Sequence, residues 1–233
     1  MDALRRRAHR AHRWLGLVVG LQVFAWLAGG LVMTALPIER VRGEHRVAAA
    51  APLSVRPASL IPFEAAAAAA SADRVAAGSL EAFLGRPAWR VEGADGTAVL
   101  VDALTGAVLS PLDEGAARAV ALADYAGPGT LAGVRLLEEP PSEYARSGPG
   151  WRAVFDDADR TALYVTADTG EVAARRGRTW RAFDLAWRVH VMDYDDGADF
   201  NHPLVRAMAG AGTLFAASGL LLMGLRWRRG RLA

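Results

Sequence analysis

The residues of this 233-residue chain best suited to ligand or proton chemistry are its five histidines and a late run of aspartates. His45 follows the first long apolar stretch, and His190 and His202 precede the second. Imidazole is a common ligand for haem iron and transition metals, and two axial imidazoles make a low-spin electron-transfer haem. These three are therefore the cofactor-binding candidates, expected at one depth. His9 and His12 lie at the other end of the first stretch, roughly 30 Å away along a helix, so one haem cannot take ligands from both groups. A plainer reading also stands: His190 and His202 hydrogen-bond at a helix–loop corner, and His12, beside Arg13 and Trp14, anchors at the headgroups. Asp193, Asp195, Asp196 and Asp199 surround Gly197 and read as a solvated loop. They do not form a calcium loop, because no Glu follows at the twelfth position.

Other chemistries are excluded by what the chain lacks. It contains no Cys, which removes disulfides, thiolate catalysis and Cys-ligated metal. No G-x-S-x-G elbow, H-E-x-x-H, Walker A or dinucleotide fingerprint occurs. No catalytic residue is assigned.

The elements that must position the histidines follow from charge and hydropathy. Residues 1–13 carry five Arg and one Asp, and residues 203–233 carry five Arg and no acid. Against a net charge of +2, this leaves residues 14–202 at −7. Basic ends around an acidic middle argue against a nucleic-acid partner and for membrane topology. Residues 14–36 are uncharged, and about 20 apolar residues suffice to cross a bilayer. Residues 207–225 form a second uncharged stretch, followed by RWRRGR. The positive-inside rule puts both termini in the cytoplasm and the middle in the periplasm of a bacterial inner membrane. Gly16, Gly20, Gly29 and Gly30 in the first stretch, and small residues in the second, suit close packing of the two helices on each other or on a partner.

The expected organisation is a basic N-terminus (1–13), a transmembrane helix (14–36) and a linker (37–62). Two repeated units follow (63–111 and 112–178), then an interfacial helix with the acidic loop (179–202). A second transmembrane helix (203–225) and a basic C-terminus (226–233) complete the chain. Trp180, Phe183, Trp187 and Val191 recur at helical spacing, and Asn201 with Pro203 signals the next helix start. The repeat is read from WRV…VLVDALTGAV at residues 89–108 and WRA…LYVTADTGEV at residues 151–172. Alternating apolar residues and turn residues make each copy a hairpin. A helix is expected before each, over Phe63–Ala77 and Asp113–Tyr125, with an extra strand at Leu131–Leu137. The fold class is α+β, helices on antiparallel sheet, bracketed by two transmembrane helices.

Four segments resemble the PepSY family, in its form with associated transmembrane helices. They are HRWLGL at residues 12–17, VRGEH at 41–45, the two T-G hairpins, and WRVHVMDY at 187–194 with Asn201-His202-Pro203. The resemblance implies an extracytoplasmic domain of two PepSY-like units. It also implies two kinds of function. Some PepSY modules resemble propeptides that bind or restrain an enzyme. Larger membrane members resemble ferric-siderophore reductases that hold haem through histidines near the helices, with more transmembrane helices than two. The expectation is an inner-membrane accessory protein in iron, siderophore or haem-linked redox handling, with haem b held by His190, His202 and His45. The alternative is a cofactor-free interaction module for a periplasmic enzyme or transporter. Partners are the lipid bilayer and a second copy or another membrane or periplasmic protein, since two helices build a shared site only by joining others.

Overall fold

The computed structural model describes residues 2–50, 52–199 and 201–230, without the side chains of 2–12, 218, 221–226 and 228–230. The chain forms two compact units, residues 38–180 and a helical unit of residues 1–37 with 181–233.

The larger unit is α+β with two antiparallel sheets. The first orders β1 (Val75–Phe83), β2 (Arg86–Gly93) and β3 (Ala98–Asp102). The second orders β4 (Thr130–Leu137), β5 (Gly150–Asp156), β6 (Ala162–Thr166) and β7 (Val172–Arg176). Each sheet has a preceding helix, α3 (Phe63–Ala69) or α4 (Glu114–Asp124). A short α2 (Ile38–Val41) opens the unit.

The repeat read in the sequence is a repeat of structure, down to its hydrogen bonds. Trp89 pairs with Val101, and Trp151 with Val165. The Trp89 indole donates to Ile61 O at 3.1 Å, just ahead of α3. The Trp151 indole donates to Leu112 O at 3.1 Å, just ahead of α4. The same two residues donate their own N–H groups to Ala103 O (2.9 Å) and Ala167 O (2.7 Å). Each helix entrance is thus fixed at two points to its hairpin, to the Trp of one strand and to the residue just past the next. These bonds satisfy buried donors and acceptors that would otherwise cost free energy.

The structure corrects two expectations. The helix expected over Phe63–Ala77 stops at Ala69, and Ser71 turns with φ 53°. Residues 75–83 instead form β1, paired from Val75↔Gly93 to Phe83↔Arg86. Alanine favours helix, but a short helix depends on packing for its stability. Here the Phe63 ring lies over Gly78, where an added Cβ would come within 2.2 Å of it, so strand and helix specify each other. The first copy therefore owns the extra strand that was expected only in the second, and β1 and β4 carry corresponding irregularities, at Val75/Ala77 and Leu131/Gly133. The second correction concerns the expected linker. Residues 38–48 are packed: Val41 is buried, Val47 bridges to Tyr125, and Ala48 N donates to Asp124 O at 2.8 Å.

In the helical unit, α1 (Asp2–Ala35) meets α6 (Pro203–Gly230) and α5 (Arg178–Val191), which begins in the other unit. Phe215 covers Gly16, and Val19 is buried facing Gly212. Gly29 lies close to Ala186 O, which an added Cβ would meet at a tight 3.2 Å, while a Cβ on Gly20 or Gly30 would meet nothing within 4 Å among the described residues. Among the described residues, one helical stretch is long and apolar enough to cross a membrane, Arg13–Ala35, with mean hydropathy 2.0. Its Leu17, Leu21, Phe24, Leu27 and Leu31 are all exposed. The other expected span, 207–225, lies within α6, in part outside the described side chains.

The two hairpin glycines separate backbone strain from crowding. Gly106 (φ 77°) and Gly170 (φ 69°) occupy matching left-handed positions. A Cβ on Gly106 meets nothing closer than Ile61 Cδ1 at 3.6 Å. One on Gly170 meets Phe83 Cε2 at 2.7 Å and Leu112 Cδ2 at 2.9 Å. Gly106→Ala is expected to cost about 1 kcal/mol. Gly170→Ala is expected to cost about 1–3 kcal/mol more through overpacking. Denaturant unfolding of the two variants checks the order.

Candidate functional site

The histidines divide between the units. His45 belongs to the α+β unit, is exposed, and has Nδ1 3.4 Å from Glu39 O. His190 and His202 belong to the helical unit. The side chains of His9 and His12 lie outside the described residues.

His190 sits in the last turn of α5, its ring near-parallel to Trp187 with centroids 6.4 Å apart. Its carbonyl accepts the Trp26 indole N–H at 2.8 Å. Trp26 is ten residues before Leu36, about 15 Å of helix, so α5 packs along the apolar stretch of α1 rather than at its end. Among the described residues, the His190 Nδ1 is buried with no hydrogen-bond partner, and so is Nε2 of Gln22, one turn before Trp26 on α1. His202 has a structural task. It precedes Pro203, and its Nδ1 accepts from Leu204 N at 3.3 Å while its carbonyl accepts from Arg206 N. His202, not Asn201, therefore caps α6. Of the expected ligands in this unit, one buried imidazole nitrogen remains uncommitted.

The acidic loop is the solvated turn expected except at Asp193. Asp193 is buried, and its carboxylate accepts Asp195 N at 3.2 Å and Asp199 N at 3.1 Å. The N–H of Asp199, then that of Asp195, hold its pKa below the usual carboxylate value. Asp195, Asp196 and Asp199 are exposed. Among the described residues, no three His, Asp or Glu side chains converge to hold a metal ion.

The α+β unit holds a polar cluster that the sequence reading missed. The Asp157 side chain is fully buried. Its Oδ2 accepts Arg46 Nη1 at 2.5 Å, Tyr125 Oη at 2.7 Å and Thr161 Oγ1 at 2.6 Å, and its Oδ1 accepts Thr161 N at 2.9 Å. Arg46 Nη1 also donates to Thr161 Oγ1 at 2.6 Å and lies 3.6 Å from Asp159. Tyr125 stacks on Phe155 at 3.8 Å. Burial pushes the Asp157 carboxyl up, but Thr161, Tyr125 and the Arg46 charge together hold it below the ordinary value. The available signal was the repeat itself, which sets Asp157 at the position of Asp95.

In the first copy that position is open. A groove of about 380 Å³ is lined by Asp73, Arg74, Gly93, Asp95, Thr97 and neighbouring residues. A second groove, of about 430 Å³, runs between the copies past Arg90, Arg146, Asp168 and Glu171. Its arginines are already paired, Arg90 with Glu81 at 3.0 Å and Arg146 with Glu171 at 2.8 Å. No family model, curated protein or solved structure matches the chain.

Because the folded pKa of Asp157 is depressed, the stability it contributes is present above its unfolded value and is lost as pH falls through the folded one. Asp157→Asn is expected to cost about 3 kcal/mol at neutral pH, since Arg46 is left without its buried partner. Below about pH 4 the difference from the native chain should narrow. Thermal melts of both proteins between pH 2 and 8 measure this.

Proposed function

We propose that this chain is an inner-membrane accessory protein that holds a two-copy, PepSY-like binding domain in the periplasm and acts by engaging a protein partner there. The observation that carries the reading is the duplicated α+β unit with open grooves on a chain whose first helix exposes an apolar surface. α1 is retained rather than cleaved in this reading. Its Gly16, Val19 and Trp26 contact α6 and α5, partnerships that a removed leader would forfeit. α6 provides the return span, and the basic ends stay in the cytoplasm. The iron, siderophore or haem-linked setting rests on the family resemblance of HRWLGL and WRVHVMDY.

A second reading is favoured by one atom. The His190 Nδ1, buried and without a partner among the described residues, suits a ligand or a hydrogen-bond donor. In a haem-carrying form, His190 would be a residue that holds the haem, and the haem would supply one-electron chemistry. His202, with Nδ1 committed to its cap, would bind only through Nε2. His202, a second copy or a partner would then help to hold it.

An absorption spectrum of the detergent-solubilised protein, expressed with haem supplied, separates the two. The interaction reading expects no Soret band in a folded sample. A Soret band that shifts on reduction and disappears in His190→Ala would overturn the cofactor-free form and establish the redox one.

A further inference from the structure

The two copies differ where it matters for binding. In the second, the loop after β5 folds back on itself: Phe155 N donates to Thr161 O at 2.8 Å, and Asp157 accepts both the N–H and the hydroxyl of Thr161. In the first, Gly93 N donates to Thr97 O at 2.8 Å, and Asp95 accepts the N–H and the hydroxyl of Thr97 at 3.0 and 2.7 Å. Asp95 with Thr97 is thus the counterpart of Asp157 with Thr161. The second pair is filled from elsewhere in the chain, by the Arg46 guanidinium and the Tyr125 hydroxyl. The first pair has neither. Gly93 stands where Phe155 stands, and an added Cβ there would come within 2.5 Å of the Asp95 carboxylate. Arg74, exposed, follows Asp73 as Tyr125 follows Asp124. The space left is the 380 Å³ groove, floored by Val91 and Val99.

We infer that the groove of the first copy binds an arginine side chain presented by a protein partner, seated on Asp95 and Thr97 as Arg46 is seated on Asp157 and Thr161. The chain supplies the template for its own ligand. Guanidinium suits the seat because its planar fork donates to carboxylate and hydroxyl oxygens together, as Arg46 Nη1 does. Asp73 and Asp95 outnumber the single cation of the groove, Arg74, so the field favours a positive group. The backbone pairing of the template is not carried over. Arg74 O already accepts Ala94 N at 2.9 Å, whereas in the second copy the segment at Val47 bridges to Tyr125. The specificity is therefore for the side chain and not for strand addition. This inference rests on the interaction reading above and names the chemistry of the partner.

The test uses the full-length protein in detergent and the chain's own template sequence as probe, the capped heptapeptide GEHRVAA of residues 43–49. Binding is measured by calorimetry for this peptide and for its Arg→Gln form. The native protein should bind the arginine peptide and lose at least about tenfold in affinity with the glutamine form, the weight of a charge-assisted hydrogen bond. Asp95→Asn should weaken the arginine peptide to a similar degree, with thermal stability unchanged because Asp95 is exposed. Arg74→Ala should bind at least as tightly as the native chain. Failure of the native protein to bind, or binding that ignores both Asp95→Asn and the Arg→Gln exchange, overturns the inference. The interaction reading is judged apart from it. A crosslinked periplasmic partner whose capture is indifferent to Asp95→Asn would leave that reading standing and remove this site.

Discussion

The burial of one carboxylate organises the α+β unit. Asp157 has no exposed side-chain surface, and an ionised carboxylate there needs donors on every side. Thr161 supplies them from the same loop, and Arg46 and Tyr125 from distant parts of the sequence. Because Arg46 lies only a few residues past α1, this requirement fixes residues 38–48 onto the second copy. It also fixes the end of α4, since Tyr125 immediately follows the helix. A segment that composition marks as an exit loop becomes part of the domain. Nearby, Arg175 makes a bidentate pair with Asp124 and ties β7 to the same helix end.

The repeat is the second constraint. Its paired contacts, indole to carbonyl and amide to carbonyl, set each helix at the same place over its hairpin. Neither copy needs a large core. Ala66, Ala117 and Ala121 let the helices lie close to their sheets, and Val91, Val101, Leu163 and Val165 fill the space between. The copies are joined by Ser110, which accepts Leu100 N at 2.7 Å and donates to Asp168 O. Shared scaffolding with unequal filling is what makes the comparison between Asp95 and Asp157 informative.

Much of this was legible in the sequence. A Trp-Arg strand and a Thr-Gly turn in each copy mark the hairpins because alternation and positive-φ turns are local properties. The first apolar stretch and α5 are local too, and both were readable. The Ala-rich helix was overextended because propensity at Ala76 and Ala77 says nothing of a waiting partner strand, and the packing of Phe63 on Gly78 decides the matter. The candidate site was the least legible. Arg46 and Asp157 are 111 residues apart, and only the fold makes them neighbours. His202 looked like a ligand because a capping imidazole and a metal-binding one are the same residue in a sequence, and only its bond from Leu204 N tells its task.

The proposed function requires that two retained spans display the α+β unit on one side of the membrane. The absence of Cys makes a direct measurement clean. Single cysteines at Ser147, exposed in the α+β unit, and at Ala8, in the basic N-terminal segment, are treated with a membrane-impermeant maleimide in intact cells. The account predicts labelling at position 147 and none at position 8 until the cells are permeabilised, with the full-length chain remaining in the carbonate-washed membrane. Labelling at both positions without permeabilisation, or a shortened chain released from the membrane, would contradict it.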